Sequence, residues 1–108
     1  MTITQFTAAR AAASSCHRCA DFLGLFQDIA PCELEDVWAI HDNYNIATVR
    51  ALSDLTQDEF AARYGISLTT VQSWTLSPNS VNRRNIQPYL LDLLAVDVIN
   101  ERTKKQEP

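Results

Sequence analysis

The tightest constraint on the fold lies between Leu55 and Trp74, LTQDEFAARYGISLTTVQSW, where one of the chain's two glycines separates two short runs with helical spacing. Thr56 is placed to cap a first helix, Gln57 to Tyr64. Asp58 and Glu59 stand in its opening turn, where the helix dipole favours negative charge. Thr56 and Glu59 also have the spacing of a capping box. Gly65 supplies the left-handed backbone that a helix C-cap commonly needs, and Ser67 caps a second helix from Leu68 to about Leu76. Helices joined so closely must cross steeply, which assigns Phe60, Tyr64, Ile66, Val71 and Trp74 to a shared core. The small Ala61 belongs where the helices meet.

Counting Gln57 as the first position, alanine stands fifth and glycine ninth, and apolar residues stand fourth, eighth, tenth, fifteenth and eighteenth. Together these positions match the helix-turn-helix signature. From Val49 to about Val98 the chain resembles the Cro/cI-type (lambda-repressor-like, or XRE) family of DNA-binding domains, over about half its length. The resemblance implies an all-α, lambda-repressor-like helix-turn-helix bundle, here with an N-terminal helical extension. It also implies a non-enzymatic, sequence-specific transcriptional regulator that binds double-stranded DNA, as a homodimer on a two-fold site. The chain departs from the family after Trp74, where Thr75, Leu76 and Ser77 replace an acidic residue followed by glycine. In the family that acid braces an arginine at the position of Arg50, so the brace is expected to be missing. The loop Pro78 to Ile86 is longer than usual.

Net charge −4 sits awkwardly with a DNA-binding role until it is divided along the chain. Residues 1–49 hold two arginines against six acidic residues, whereas residues 50–105 hold seven Lys/Arg against six. A nearly neutral reading unit predicts weak non-specific affinity and dependence on correct docking. No run approaches the roughly 18 apolar residues of a membrane span. The alanine-rich start is broken by Arg10 and does not resemble a secretory signal. Three cysteines without such a signal point to reduced thiols and a cytoplasmic protein.

Three segments are expected: an N-terminal helical extension over 1–44, the DNA-binding domain over 45–100 and a charged, fraying tail over 101–108. Phe6, Ala9, Ala13, Cys16, Ala20 and Leu23 recur at steps of three and four, predicting one helix from residue 3 to about 29. Ala8, Ala12, Cys19, Phe22 and Phe26 widen its apolar face. That face either packs across the DNA-binding unit or also serves a dimer or protein partner through residues 3–29. Pro31 redirects the chain into a short helix, Glu33 to His41, with Leu34, Val37, Trp38 and His41 on one face. Asn45 caps the next, bearing Ile46, Val49 and Leu52. Pro88 fits the first turn of a closing helix.

Cys16 and Cys19, with Cys32 and His41, are four possible zinc ligands, but the first pair lies within a helical pattern rather than a tight knuckle. Packed thiols are the plainer reading, and no metal or other cofactor is expected. A c-type haem would need His where Ala20 stands.

On the second signature helix Val71 and Trp74 fix the buried side, which turns Thr69, Ser73 and Leu76 outward with Thr70 and Gln72 beside them. An α-helix fits the major groove, where Gln bonds adenine and hydroxyls bond several bases. The candidate base contacts are Thr69, Thr70, Gln72, Ser73 and, by its family position, Leu68. The candidate backbone contacts are Arg50, Gln57, Asn79, Asn82, Arg83 and Arg84. No nucleophile, base and orienting group assemble into a catalytic motif, and no glycine-rich phosphate loop exists. The alternative function is a protein-binding module on the same scaffold, acting through the N-terminal helices as antitoxins and phage inhibitors do.

Overall fold

A computed structural model describes residues 1–76, 79–81 and 84–106, with Gln106 described in its backbone only. Every regular element among them is helical: α1 (Ile3–Ala13), α2 (Cys19–Leu23), α3 (Pro31–Ile40), α4 (Ile46–Ser53), α5 (Gln57–Tyr64), α6 (Leu68–Trp74) and α7 (Pro88–Gln106). A 3-10 turn over His41–Asn43 connects α3 to α4. The protein is therefore all-α, and among the described residues no helix is long and apolar enough to cross a membrane.

The helix expected from residue 3 to about 29 is in fact two helices. The apolar spacing runs on past Ala13, but Ser14 donates its hydroxyl to the Arg10 carbonyl (3.2 Å), and Ser15 and Cys16 close tight turns onto Ala12 and Ala13. Serine competes for backbone groups in this way, and Arg18 then turns extended before α2 begins. The break has a packing reason. A continuous helix over 21 residues would reach about 30 Å along one line, whereas α2 packs with α1 against α3. Phe22 thereby becomes fully buried, its ring 5.6 Å from that of Trp38. Ala8 and Ala20, expected on the apolar faces, are exposed.

Helix α3 begins at Pro31, in the first-turn position that tolerates a missing N–H, rather than at Glu33. It buries Leu34, Val37 and Ile40, while Trp38 and His41 are half-buried. The Asn45 cap is present: its side chain accepts from the Thr48 backbone N–H, and Thr48 returns the bond.

Helix α7 packs against α1, α3 and α4, so one hydrophobic core runs across residue 44 without a break, joining Phe6, Ala9 and Val37 to Val49, Ala95 and Ile99. Polar contacts fasten the same faces. Arg10 bonds Asp92 (3.2 Å) and lies over the Tyr44 ring (3.8 Å), and the Tyr44 hydroxyl donates to the same carboxylate (2.5 Å). Burial and that carboxylate push the Tyr44 phenol well above its ordinary pKa. Arg102 bonds the buried Asp36 (3.1 Å) and the Leu52 carbonyl (2.9 Å). Burial raises the Asp36 carboxyl above its usual range against the opposing pull of Arg102.

The segment expected to fray from residue 101 is helical as far as Gln106, the end of α7, and residues 107 and 108 lie outside the described residues. Three of its residues have tertiary partners: Glu101 takes Arg63 (3.2 Å), Arg102 reaches α3, and the Thr103 hydroxyl lies 3.9 Å from the Cys32 sulfur.

Candidate nucleic-acid interface

The α5–turn–α6 unit is built by its caps. The Thr56 hydroxyl accepts from the Glu59 backbone N–H (3.2 Å), and the Glu59 carboxylate accepts from the Thr56 N–H (3.0 Å). The Thr56 backbone N–H, and after it the Thr56 hydroxyl, hold the Glu59 carboxyl below its ordinary pKa. Gly65 is left-handed at φ 65°, ψ 31°, its N–H returning to the Ala61 carbonyl. Two residues on, the Ser67 hydroxyl accepts from the Thr70 N–H and starts α6. Phe60 and Val71 are fully buried between the helices, and Ala61 and Trp74 nearly so. Tyr64 and Ile66 lie partly buried at the edge. The Tyr64 hydroxyl donates to Asp97 (2.7 Å), which with burial pushes its pKa up to about 12 and ties α5 to α7. Helix α6 ends at Trp74, two residues short of Leu76, with Thr75 as its C-cap.

With Val71 and Trp74 inward, Thr69 and Gln72 are exposed and Thr70 and Ser73 half-exposed. Neither the Thr69 hydroxyl nor the Gln72 amide has a hydrogen-bond partner among the described residues. Ser73 donates to the Thr70 carbonyl (2.8 Å), and the Thr70 hydroxyl lies 2.7 Å from that of Ser67, so each keeps an oxygen able to accept. The following loop returns to the same helix: the Arg84 N–H donates to the Ser73 carbonyl (3.2 Å). An open cleft of about 530 Å³ results, lined by Thr69, Thr70, Gln72, Ser73, Leu76, Val81 and Arg84.

Four of the expected base contacts and the exposed Arg84 thus share one concave surface. Leu68 does not join them; it is half-buried against the core. Two expected backbone contacts face inward. Arg50 donates through Nη1 to the Leu55 carbonyl (3.0 Å), and its Nε is buried without a partner among the described residues. Gln57 donates to the Thr75 hydroxyl (3.1 Å), which bonds the Gln72 carbonyl (3.0 Å), fastening the start of α5 to the end of α6. Asn79 is exposed. Asn82 and Arg83 lie outside the described residues.

Among the described residues, four other cationic side chains form ion pairs within the protein. Arg10 is paired with Asp92, Arg63 with Asp97 and Glu101, Arg102 with Asp36, and Lys104 with Glu101. Val81, which also lines the cleft, was not singled out by sequence reasoning. The cysteines are free thiols, with Cys32 beside Thr103 and the His41 Nδ1 at the Trp38 carbonyl (2.6 Å). Among the described residues no three His, Cys, Asp or Glu side chains converge as a metal site.

Comparisons with protein-family models, curated proteins and solved structures return no match to this chain.

Proposed function

We propose that the protein is a helix-turn-helix DNA-binding regulator that reads the major groove with α6, acting as a homodimer on a two-fold site. The observation that carries this reading is the convergence of Thr69, Thr70, Gln72 and Ser73 with Arg84 on one open surface. A major groove about 12 Å wide admits a helix. In such a complex the Gln72 amide pairs with the N6 and N7 edge of adenine, while the Thr69 and Ser73 hydroxyls donate to or accept from neighbouring bases. Arg84 contacts a phosphate at the edge of the groove, and the exposed Asn79 has the chemistry to do the same. Because α6 carries no Arg or Lys, the preferred half-site leans on A·T pairs rather than on guanine.

Selection from a random duplex pool tests the proposal. The expected result is enrichment of a two-fold, A·T-leaning site, with a shallow salt dependence that reflects few phosphate contacts. Failure to enrich any sequence would count against it. One observation favours a second reading, a protein-binding module using the N-terminal helices: the pairing of Arg10, Arg63, Arg102 and Lys104 with carboxylates reduces the basic surface open to nucleic acid.

A further inference from the structure

Two apolar side chains flank the polar stripe of α6, and hydrogen-bond reading alone gives them no task. Leu76 is 37% exposed just beyond the end of α6, and Val81 is 97% exposed in the returning loop. Both line the cleft that holds Gln72 and Arg84. Val81 contributes nothing to the core at that exposure, yet the Arg84 N–H bond to the Ser73 carbonyl brings its loop against α6. The cleft therefore pairs hydrogen-bonding groups with two apolar contacts. In the major groove the one apolar group that a base pair displays is the C5 methyl of thymine.

We propose that Leu76 and Val81 are specificity-determining residues that recognise thymine methyl groups next to the adenine-facing Gln72. The assignment rests on the DNA-reading function above and deepens it. A thymine methyl gives each of these side chains an apolar partner that buries more apolar area than a bare ring edge does. Arg84 supplies the nearby positive charge that complements a phosphate, so the contacts are held in register with the backbone.

Uracil removes the methyl and leaves the base-pairing groups in place, which makes it the direct probe. The enriched duplex is resynthesised with one thymine at a time replaced by uracil, and its affinity is measured at fixed salt for the wild type, Leu76→Ala and Val81→Ala. The expected loss is about fourfold for each methyl that is read, the value of one buried methylene-sized group. It should occur at one or two positions per half-site and disappear at one of them in each variant. Selective binding that is insensitive to uracil everywhere overturns the thymine-methyl assignment and leaves the DNA reading standing. Sensitivity that survives unchanged in both variants assigns the methyls to other residues and overturns it equally. A protein that selects no duplex overturns the DNA reading and this assignment together. Circular dichroism melting of both variants should match the wild type, so that loss of fold does not mimic loss of contact.

Discussion

Replacing Gly65 with alanine separates two reasons for a glycine in the turn between α5 and α6: lack of space and backbone conformation. A Cβ built at Gly65 meets nothing within 4 Å, so the new methyl collides with no neighbour. What remains is the conformation itself, φ 65°. Holding an L-residue there costs about 1–2 kcal/mol. Alanine also narrows the unfolded ensemble, offsetting about 0.4–1 kcal/mol of that cost. The net loss is about 1 kcal/mol, or about 4–8 °C in melting temperature for a domain near this size.

The same chain supplies a counterpart. Asp54 caps α4 at φ 60° without being glycine. Its side chain is 88% exposed and 4.0 Å from Arg102, a pair too solvated to contribute much. Asp54→Gly should therefore hold or slightly raise the melting temperature, and Gly65→Asn, which suits the left-handed region, should fall between Gly65→Ala and the wild type. Thermal denaturation followed by circular dichroism reads all three. A Gly65→Ala protein that melts with the wild type would refute the reasoning, because the turn would then not impose that conformation.

Thr56→Ala removes the α5 cap and should destabilise the protein by about 1 kcal/mol in urea titration. Glu59 titrates below its ordinary pKa in the folded protein, so the stability linked to its ionisation is present above the unfolded value and is lost as pH falls through the depressed folded one. NMR titration should place the Glu59 midpoint low in the wild type and only slightly higher in Thr56→Ala, which loses the hydroxyl but keeps the backbone N–H that lowers it most. Tyr44→Phe deletes the bond to Asp92, which keeps Arg10, and should cost about 1.5 kcal/mol by the same denaturation assay. In binding titrations against the selected duplex, Gln72→Ala should weaken discrimination at particular base pairs by about 1–3 kcal/mol with its salt slope unchanged. Arg84→Ala should weaken all sequences alike and reduce the slope by about one.

The α5–α6 unit was legible in the sequence because its determinants are local. Thr56, Glu59, Gly65 and Ser67 act within a few residues of themselves, and each makes the expected cap. The break at Ser14 was not legible, since the alanine and cysteine spacing continues across it, whereas the packing of Phe22 on Trp38 of α3 that accompanies it lies far off in sequence. The extent of α7 as far as Gln106 was hidden for a similar reason. Glu101 and Arg102 look like tail residues until Arg63 and Asp36 are placed beside them. Within the candidate site, the outward face of α6 followed from Val71 and Trp74, whereas the inward turn of Arg50 and Gln57 depended on the Leu55 carbonyl and the Thr75 hydroxyl.

The most direct test of DNA reading by α6 is an amide chemical-shift map of the labelled protein titrated with its selected duplex. The expected perturbations centre on Thr69, Thr70, Gln72, Ser73, Leu76, Val81 and Arg84, and random duplex at the same salt should produce smaller shifts. Perturbations confined to α1, α2 and α3, or none with any duplex, would contradict the claim.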